Sequence, residues 1–506
     1  MMDKKPHAAS NVAAALAHDR LGTTRITQFA LSAAATLTVV AGVFPTGYAV
    51  TGITGIPAAF VLLGIVLIVF CVGYNAMSRR ISNAGAFYAY IAQGVSRPAG
   101  VAAAWIAMLC YNLLQVGLYG IFGGLGAPLL NSALHTNLPW WGWSLIAWAI
   151  VAVLGLAQVE FNGSVLGLLM LAEVMLILVY FGAFVSHPSG GHVTATTFLP
   201  SHLFVSGWGS LLVIAVTGFV GFESAAFYSE EAKDSHRTVP VATYVVVGLI
   251  ALLYCLSSWA MTVVTGPDHI VAQSQRQGGD LVFNLAAQTL GAAWSTVGHV
   301  LLLTSVFAAM ISYHASASRY VFSLGREGVL PSVFGRTLPR TGAPLWGSLT
   351  QTVIGFAVIV GYASAHLDPM VNLFFWLGTT GGFGVLVLLA ATSAAVIGYF
   401  RRRGGENVWR SVIAPFLTLL ALAAAVVLSV ANFATLLGVD SHSAARWAFP
   451  AAYLVIAFGG VLWATVLRIR RPEVYQRIGL GVTAETGRST ALGTEGDSFD
   501  RAGSLL

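Results

Sequence analysis

Long apolar runs alternate along the chain with short polar stretches, and the runs have the length a bilayer asks for. A membrane-crossing helix takes about 20 mostly apolar residues. Twelve stretches qualify, at about 28–50, 57–77, 98–127, 141–158, 164–186, 207–228, 241–265, 292–323, 346–365, 371–400, 411–435 and 447–468. The pattern predicts an all-α polytopic membrane protein of twelve transmembrane helices, filling a membrane domain at 28–470. Residues 1–27 are polar and hold no short apolar stretch ending in a cleavage site, so they read as a cytoplasmic segment rather than a removable signal peptide. Residues 471–506 are rich in Gly, Ser, Thr and acids and have little to bury, which predicts a disordered tail.

Charge then assigns the two sides. With the loops taken alternately, one set together with the termini holds 23 of the 25 Lys and Arg, leaving only Arg276 and Arg446 in the other. The positive-inside rule places both termini in the cytoplasm of a cell with this protein in its inner membrane. Composition agrees: 9% of the 506 residues are charged and 57% hydrophobic, against about 25% charged in a soluble domain. A chain so poor in charge cannot clothe a water-facing surface, which excludes a soluble enzyme and a disordered scaffold. The net charge of +6 is scattered in short clusters between apolar runs, so no nucleic acid partner is expected. Cys71, Cys110 and Cys255 lie in apolar runs and form no CxxC pair, so no disulfide framework, metal centre or cofactor is expected.

Two acids sit inside apolar runs where a plain anchor would have none: Glu173 in GLLMLAEVMLILV and Glu223 in VTGFVGFESAAF. A third, Glu160, falls at a loop edge. An ionised side chain at mid-membrane costs about 2.5–3.5 kcal/mol on insertion scales, so such residues face cavities and mark ion or substrate routes. The plainer alternative is a protonated carboxyl that only packs. Span 6 is also interrupted by glycine through Thr217, Gly218, Phe219, Val220, Gly221 and Phe222. Span 1 carries a weaker interruption at Ala35, Thr36, Leu37 and Thr38, ahead of Gly42 and Pro45. Interrupted spans at matching places in two halves point to a transporter's binding site. Small residues also serve tight helix packing, which is the alternative here. Five helices separate the two interruptions, so spans 1–5 (about 28–186) and 6–10 (about 207–401) are expected to form repeats of opposite topology, with accessory helices at about 411–468.

The chemistry of a broken helix suggests a cargo. Freed N–H groups at one half-helix end suit a carboxylate, and freed carbonyls at the other suit an ammonium or a cation. An α-amino acid zwitterion offers both groups on one carbon.

Four stretches carry a resemblance. They are LTVVAG (37–42), NAGAFYAYIAQG (83–94), GFESAAFYSEEAKDSHRTVP (221–240) and SRYVFSLGREGVLP (318–331). In that order they resemble the amino acid–polyamine–organocation (APC) superfamily of permeases, over about 21 to 403. The resemblance implies the five-plus-five inverted-repeat (LeuT-type) fold, two accessory helices and alternating access. It places substrate binding at Ala35, Thr36, Leu37, Thr38, Thr217, Gly218, Phe219, Gly221 and Phe222. Relatives carry glycines in the span 1 break, an aromatic gate early in the span 6 break and often a Lys on span 5. Here those places hold Ala34 to Thr38, Thr217 with Phe219 two residues on, and Glu173.

Glu173 and Glu223 are the coupling and gating candidates, with Ser305 and Ser312 on span 8 facing span 1 and Glu173; a Ser in a membrane helix also commonly bonds its own backbone. His314 is a proton-relay candidate by its ordinary pKa, although a lone His near a helix end more often holds structure. Trp140 to Trp143 read as an interfacial belt. The expectation is a secondary amino acid permease of the cytoplasmic membrane, coupled to protons, importing a small molecule. An amine or polyamine carrier, or an uncoupled exchanger, is the alternative. The chain has no HExxH and no GxxxxGK[ST], which argues against a membrane metalloprotease and an ATP-driven pump.

Overall fold

The computed structural model describes residues 21–481 apart from 82, 84, 158–162, 230–231 and 340. Glu160 lies outside the described residues. Eleven described helices are long and apolar enough to cross a membrane, and a shorter apolar helix, Trp140–Leu156, stands at the place of the expected fourth span. In chain order the twelve are α1 (Thr23–Thr51), α2 (Ile56–Ser78), α3 (Arg97–Leu134), α4 (Trp140–Leu156), α5 (Gly163–Ser186), α6 (Gly209–Tyr228), α7 (Ser235–Thr265), α8 (Ala292–Glu327), α9 (Leu345–Ser364), α10 (Pro369–Arg403), α11 (Trp409–Ala431) and α12 (Ala445–Arg470). Each predicted stretch is recovered with its ends moved by a few residues. The ends lengthen where capping permits: Ser96 accepts from the Ala99 N–H at the start of α3, and Asp368 accepts from Met370 and Val371 at the start of α10. With 38 residues, α3 is about 57 Å long at 1.5 Å per residue, longer than a hydrocarbon layer of about 30 Å requires.

Two helices form the centre. The apolar windows of α1 and α6 are 94% buried, whereas those of α9 and α12 are 28% buried. The outer helices therefore present wide apolar faces to lipid, and α1 and α6 are walled in by protein. That placement sets where irregular backbone is tolerated, because only protein or trapped water can satisfy freed amides at membrane depth.

The tail departs from expectation. From Arg471, where composition predicts disorder, the chain forms the helix Pro472–Arg477, and Gly479 and Gly481 hydrogen-bond into the bundle. The stretch buries one large apolar residue, Ile478, and gains its order from directional bonds that composition does not register. Residues 482–506 lie outside the described residues.

Candidate functional site

The break in α1 is at Ala35, whose backbone is left-handed (φ 48°, ψ 59°). A residue with a Cβ pays roughly 1–2 kcal/mol for that conformation, so surrounding contacts hold it there. Above it, Pro45 cannot donate to residue 41, and the turn Val39–Val43 is widened into π-helical form. The break in α6 is sharper. The regular helix stops at Phe219, Val220 is extended (ψ 134°), Gly221 turns to φ 117°, and the chain resumes as a tight 3₁₀ helix, Phe222–Tyr228. Only glycine takes a φ of 117° without strain, and so Gly221 defines the break.

The breaks touch. A Cβ on Gly221 would stand 2.6 Å from Ala34 N and 2.7 Å from Ala33 C, so the absence of a side chain is what lets the two backbones meet. The freed polar groups at this crossing are taken up by side chains from the surrounding helices. The Tyr254 hydroxyl, from α7, donates to Ala34 O at 3.1 Å. The Tyr313 hydroxyl, from α8, donates to Val220 O at 3.3 Å, and Tyr74, from α2, donates to Glu223 O at 3.2 Å. Glu223 itself folds back: its Oε2 accepts from the Gly221 N–H at 2.9 Å and its Oε1 from the Tyr111 hydroxyl of α3 at 2.7 Å. A carboxylate and four phenols thus close off the break, the phenols coming one from each of four neighbouring helices.

Glu173 of α5 occupies the other side of α1. Its Oε2 accepts from the Ser305 hydroxyl of α8 at 2.7 Å and from Thr36 at 3.3 Å. It is 6% exposed and borders a cavity of about 10 Å³ with Leu31, Ser32, Ala35, Met170 and Ser305. That volume admits a single water or ion and nothing larger. Within the same helices the hydroxyls of Ser32, Thr38 and Ser312 are buried without a hydrogen-bond partner.

The structure therefore brings together Ala35, Thr36, Glu173 and Ser305 as one group, and Gly221 with Glu223 as a second beside it. It separates the rest. Phe219 packs on Phe60 and Tyr254, with ring centroids 5.9 and 6.4 Å away, and a Cβ on Gly218 would face the same Phe60 ring. Phe222 meets Phe70 edge-on at 6.2 Å. The Thr217 hydroxyl bonds its own helix at Val213 O, 2.8 Å away, and abuts Gly382 of α10. These side chains wedge α6 against α2, α7 and α10, so the stretch 217–222 offers the site its backbone rather than its side chains. Leu37 is fully buried. Ser312 lies two turns along α8 from Ser305, and its hydroxyl does not join Glu173. His314 ties three helices through Gln115 of α3 at 3.2 Å and Ser348 of α9 at 2.7 Å, which is a structural placement. Tyrosines 74, 111, 254 and 313, whose hydroxyls bond the groups at the break, are residues that periodicity does not single out. The available signal was chemical: a phenol deep in an apolar helix must find an acceptor.

The bundle is thus built around a first and a sixth helix that break and cross at their breaks. The amino acid permease family matches residues 21–461, and the chain belongs to that family. It is 22% identical to the low-affinity putrescine importer PlaP of Escherichia coli (strain K12) over 353 residues, 66% of this chain and 74% of that one. It is 25% identical to the lysine-specific permease LysP of Lactococcus lactis subsp. cremoris (strain MG1363), over 59% of this chain and 61% of that one. The histidine permease HisP of the same strain is also 25% identical, over 64% of this chain and 71% of the relative. The protein is thus a membrane transporter for amino acids or amines, not an enzyme.

Proposed function

We propose that the protein imports an amino acid or amine bearing a positive charge across the cytoplasmic membrane, driven by protons, through alternating exposure of the site at the two breaks. The observation that carries this reading is the crossing itself. Backbone freed at Ala34–Ala35 and Val220–Gly221 meets with two buried carboxylates, Glu173 and Glu223, alongside and no buried Lys or Arg among the described residues of the core. An excess of buried acid favours a cationic cargo, whether a proton or an ammonium. The substrates by which the relatives above are named, putrescine, lysine and histidine, lean the same way.

Uptake into proteoliposomes tests it, with labelled lysine, histidine, putrescine, leucine and glutamate, each with and without an inward proton gradient. Lysine, histidine or putrescine should accumulate, and faster with the gradient. Accumulation of leucine or glutamate alone would remove the cationic preference, and equal rates with and without the gradient would remove proton drive.

The orientation in this proposal rests on the 23-to-2 distribution of basic residues. Single cysteines at Gly190, in the exposed turn after α5, and at Gly404, in the exposed turn after α10, report it. In intact cells an impermeant maleimide should label the first and miss the second. The opposite pattern would invert the topology.

A further inference from the structure

A buried carboxylate that the transport site does not use lies at the far end of α8. Glu327, the last residue of that helix, is 3% exposed. Four donors converge on it. Asn83 Nδ2 reaches Oε1 at 3.1 Å, and the Tyr88 hydroxyl donates to Oε2. The backbone N–H groups of Gly479 and Gly481 complete the set, at 2.7 Å to Oε2 and 2.9 Å to Oε1. Burial pushes the Tyr88 hydroxyl well above its ordinary value, so it stays a donor.

Two of these donors come from beyond α12, and their geometry is specialised. Gly479 and Gly481 both hold left-handed backbone, at φ 80° and 57°. N–H groups flanking such turns face the same way and form a concavity for an anion. A Cβ on Gly481 would stand 2.8 Å from Asn83 Nδ2, so the approach needs glycine. The same segment lies along the helix Ala86–Gly94: Gln93 Nε2 donates to Gly479 O at 2.7 Å, and a Cβ on Gly479 would meet Ala92 Cβ at 2.7 Å. Arg97 donates to Gln476 O at 3.2 Å and stands 5.4 Å from the Tyr475 ring.

The segment thus bridges two parts of the molecule, the end of α8 and the helix Ala86–Gly94, which packs on α10 where Gly94 meets Ala395. Both parts carry stretches by which the chain resembles permeases, and neither stretch is used at the breaks. The attachment is also narrow. No residue of the helix Pro472–Arg477 is fully buried, and Val474 and Tyr475 pack against the bundle only in part, so the hold depends on these two, Ile478, the two glycines and a few directional bonds. Elements fastened by few buried contacts open at low cost. We propose that the segment Pro472–Gly481 is a latch: it clips the end of α8 to the Ala86–Gly94 helix through Glu327, and it must let go for that face of the transporter to open.

The inference rests on the transport reading, and a reversible cross-link separates the two. A Cβ on Gly328 would lie 4.0 Å from Val474 Cβ, within the separation a disulfide spans. In proteoliposomes the reduced Gly328→Cys/Val474→Cys protein should take up substrate, which tests transport alone. Oxidation should cut the rate about tenfold, as for a gate held shut, and reductant should restore it. A fully cross-linked protein that transports at the reduced rate overturns the latch. Should strain at Gly328 (φ 82°) silence even the reduced form, a single Ile478→Cys decides the matter. This position, 2% exposed at rest, should react with an impermeant maleimide several-fold faster during turnover than without substrate. Equal rates in the two conditions overturn the proposal.

Discussion

Gly221→Ala is expected to reduce substrate uptake to the background of empty vesicles and to lower the thermal stability of the purified protein. Two independent effects add at this position. A residue with a Cβ at φ 117° carries backbone strain of about 1–3 kcal/mol. Its Cβ would also stand 2.6 Å from Ala34 N, and the atom in the way is backbone, which has no rotamer to move to. Relief requires that α1 and α6 part at the one place where their breaks meet. The Gly221 N–H to Glu223 bond and the Tyr313 bond to Val220 O would stretch with them. Gly221→Leu should act the same way and more strongly. Gly248→Ala, at a helical position where a Cβ meets nothing within 4 Å, is the control and should leave both quantities as they are. Uptake and melting are measured on monodisperse protein, so that loss of the fold is not mistaken for loss of the site. Wild-type uptake by Gly221→Ala would remove the crossing of the breaks from the transport cycle.

The architecture was legible because a membrane reads sequence coarsely. Length and apolarity alone mark the helices, so even the short Trp140–Leu156 falls where its run of apolar residues places it. The break in α6 was legible for a different reason, since Gly221 adopts a conformation other residues avoid. The break in α1 was faint because Ala35 takes a left-handed turn that its own chemistry does not favour. Its cause lies in contacts from α6 and in Tyr254, which are distant in sequence. The same limit explains Phe219 and Phe222. Position in the break placed them at the site, but the direction of a side chain at irregular backbone follows no period: Phe219 turns to α2 and α7, and Phe222 to α2. The latch was illegible because composition reports how much a segment can bury, and this one is held by two glycine amides on a single carboxylate.

Glu173→Gln is expected to keep exchange of internal for external substrate while losing accumulation driven by a pH gradient. Glu223→Gln is expected to lose both. The two carboxyls differ in what surrounds them. Glu173 accepts from the hydroxyls of Ser305 and Thr36, and a hydroxyl rotates to donate or accept. An amide therefore fits where the carboxyl was, resembles its protonated form and cannot release a proton. The cavity beside it has room for one water to carry that proton. Glu223 instead faces a backbone N–H on one oxygen and a phenol already committed to it on the other. The N–H of Gly221 can only donate. A glutamine that keeps its oxygen on the Gly221 N–H turns its –NH2 to the Tyr111 hydroxyl, which must then accept and leaves its own proton without the partner it had. Orphaning one buried donor costs about 1–3 kcal/mol, charged at the break itself. Glu223 thus holds the shape of the site, whereas Glu173 has the surroundings of a group that exchanges a proton. Counterflow and gradient-driven uptake, measured on the same proteoliposomes for each variant, distinguish the roles. If Glu173→Gln retains full gradient-driven accumulation while Glu223→Gln keeps exchange and loses accumulation, proton coupling belongs to Glu223, and the group around Glu173 serves only to pack α1 against α5 and α8.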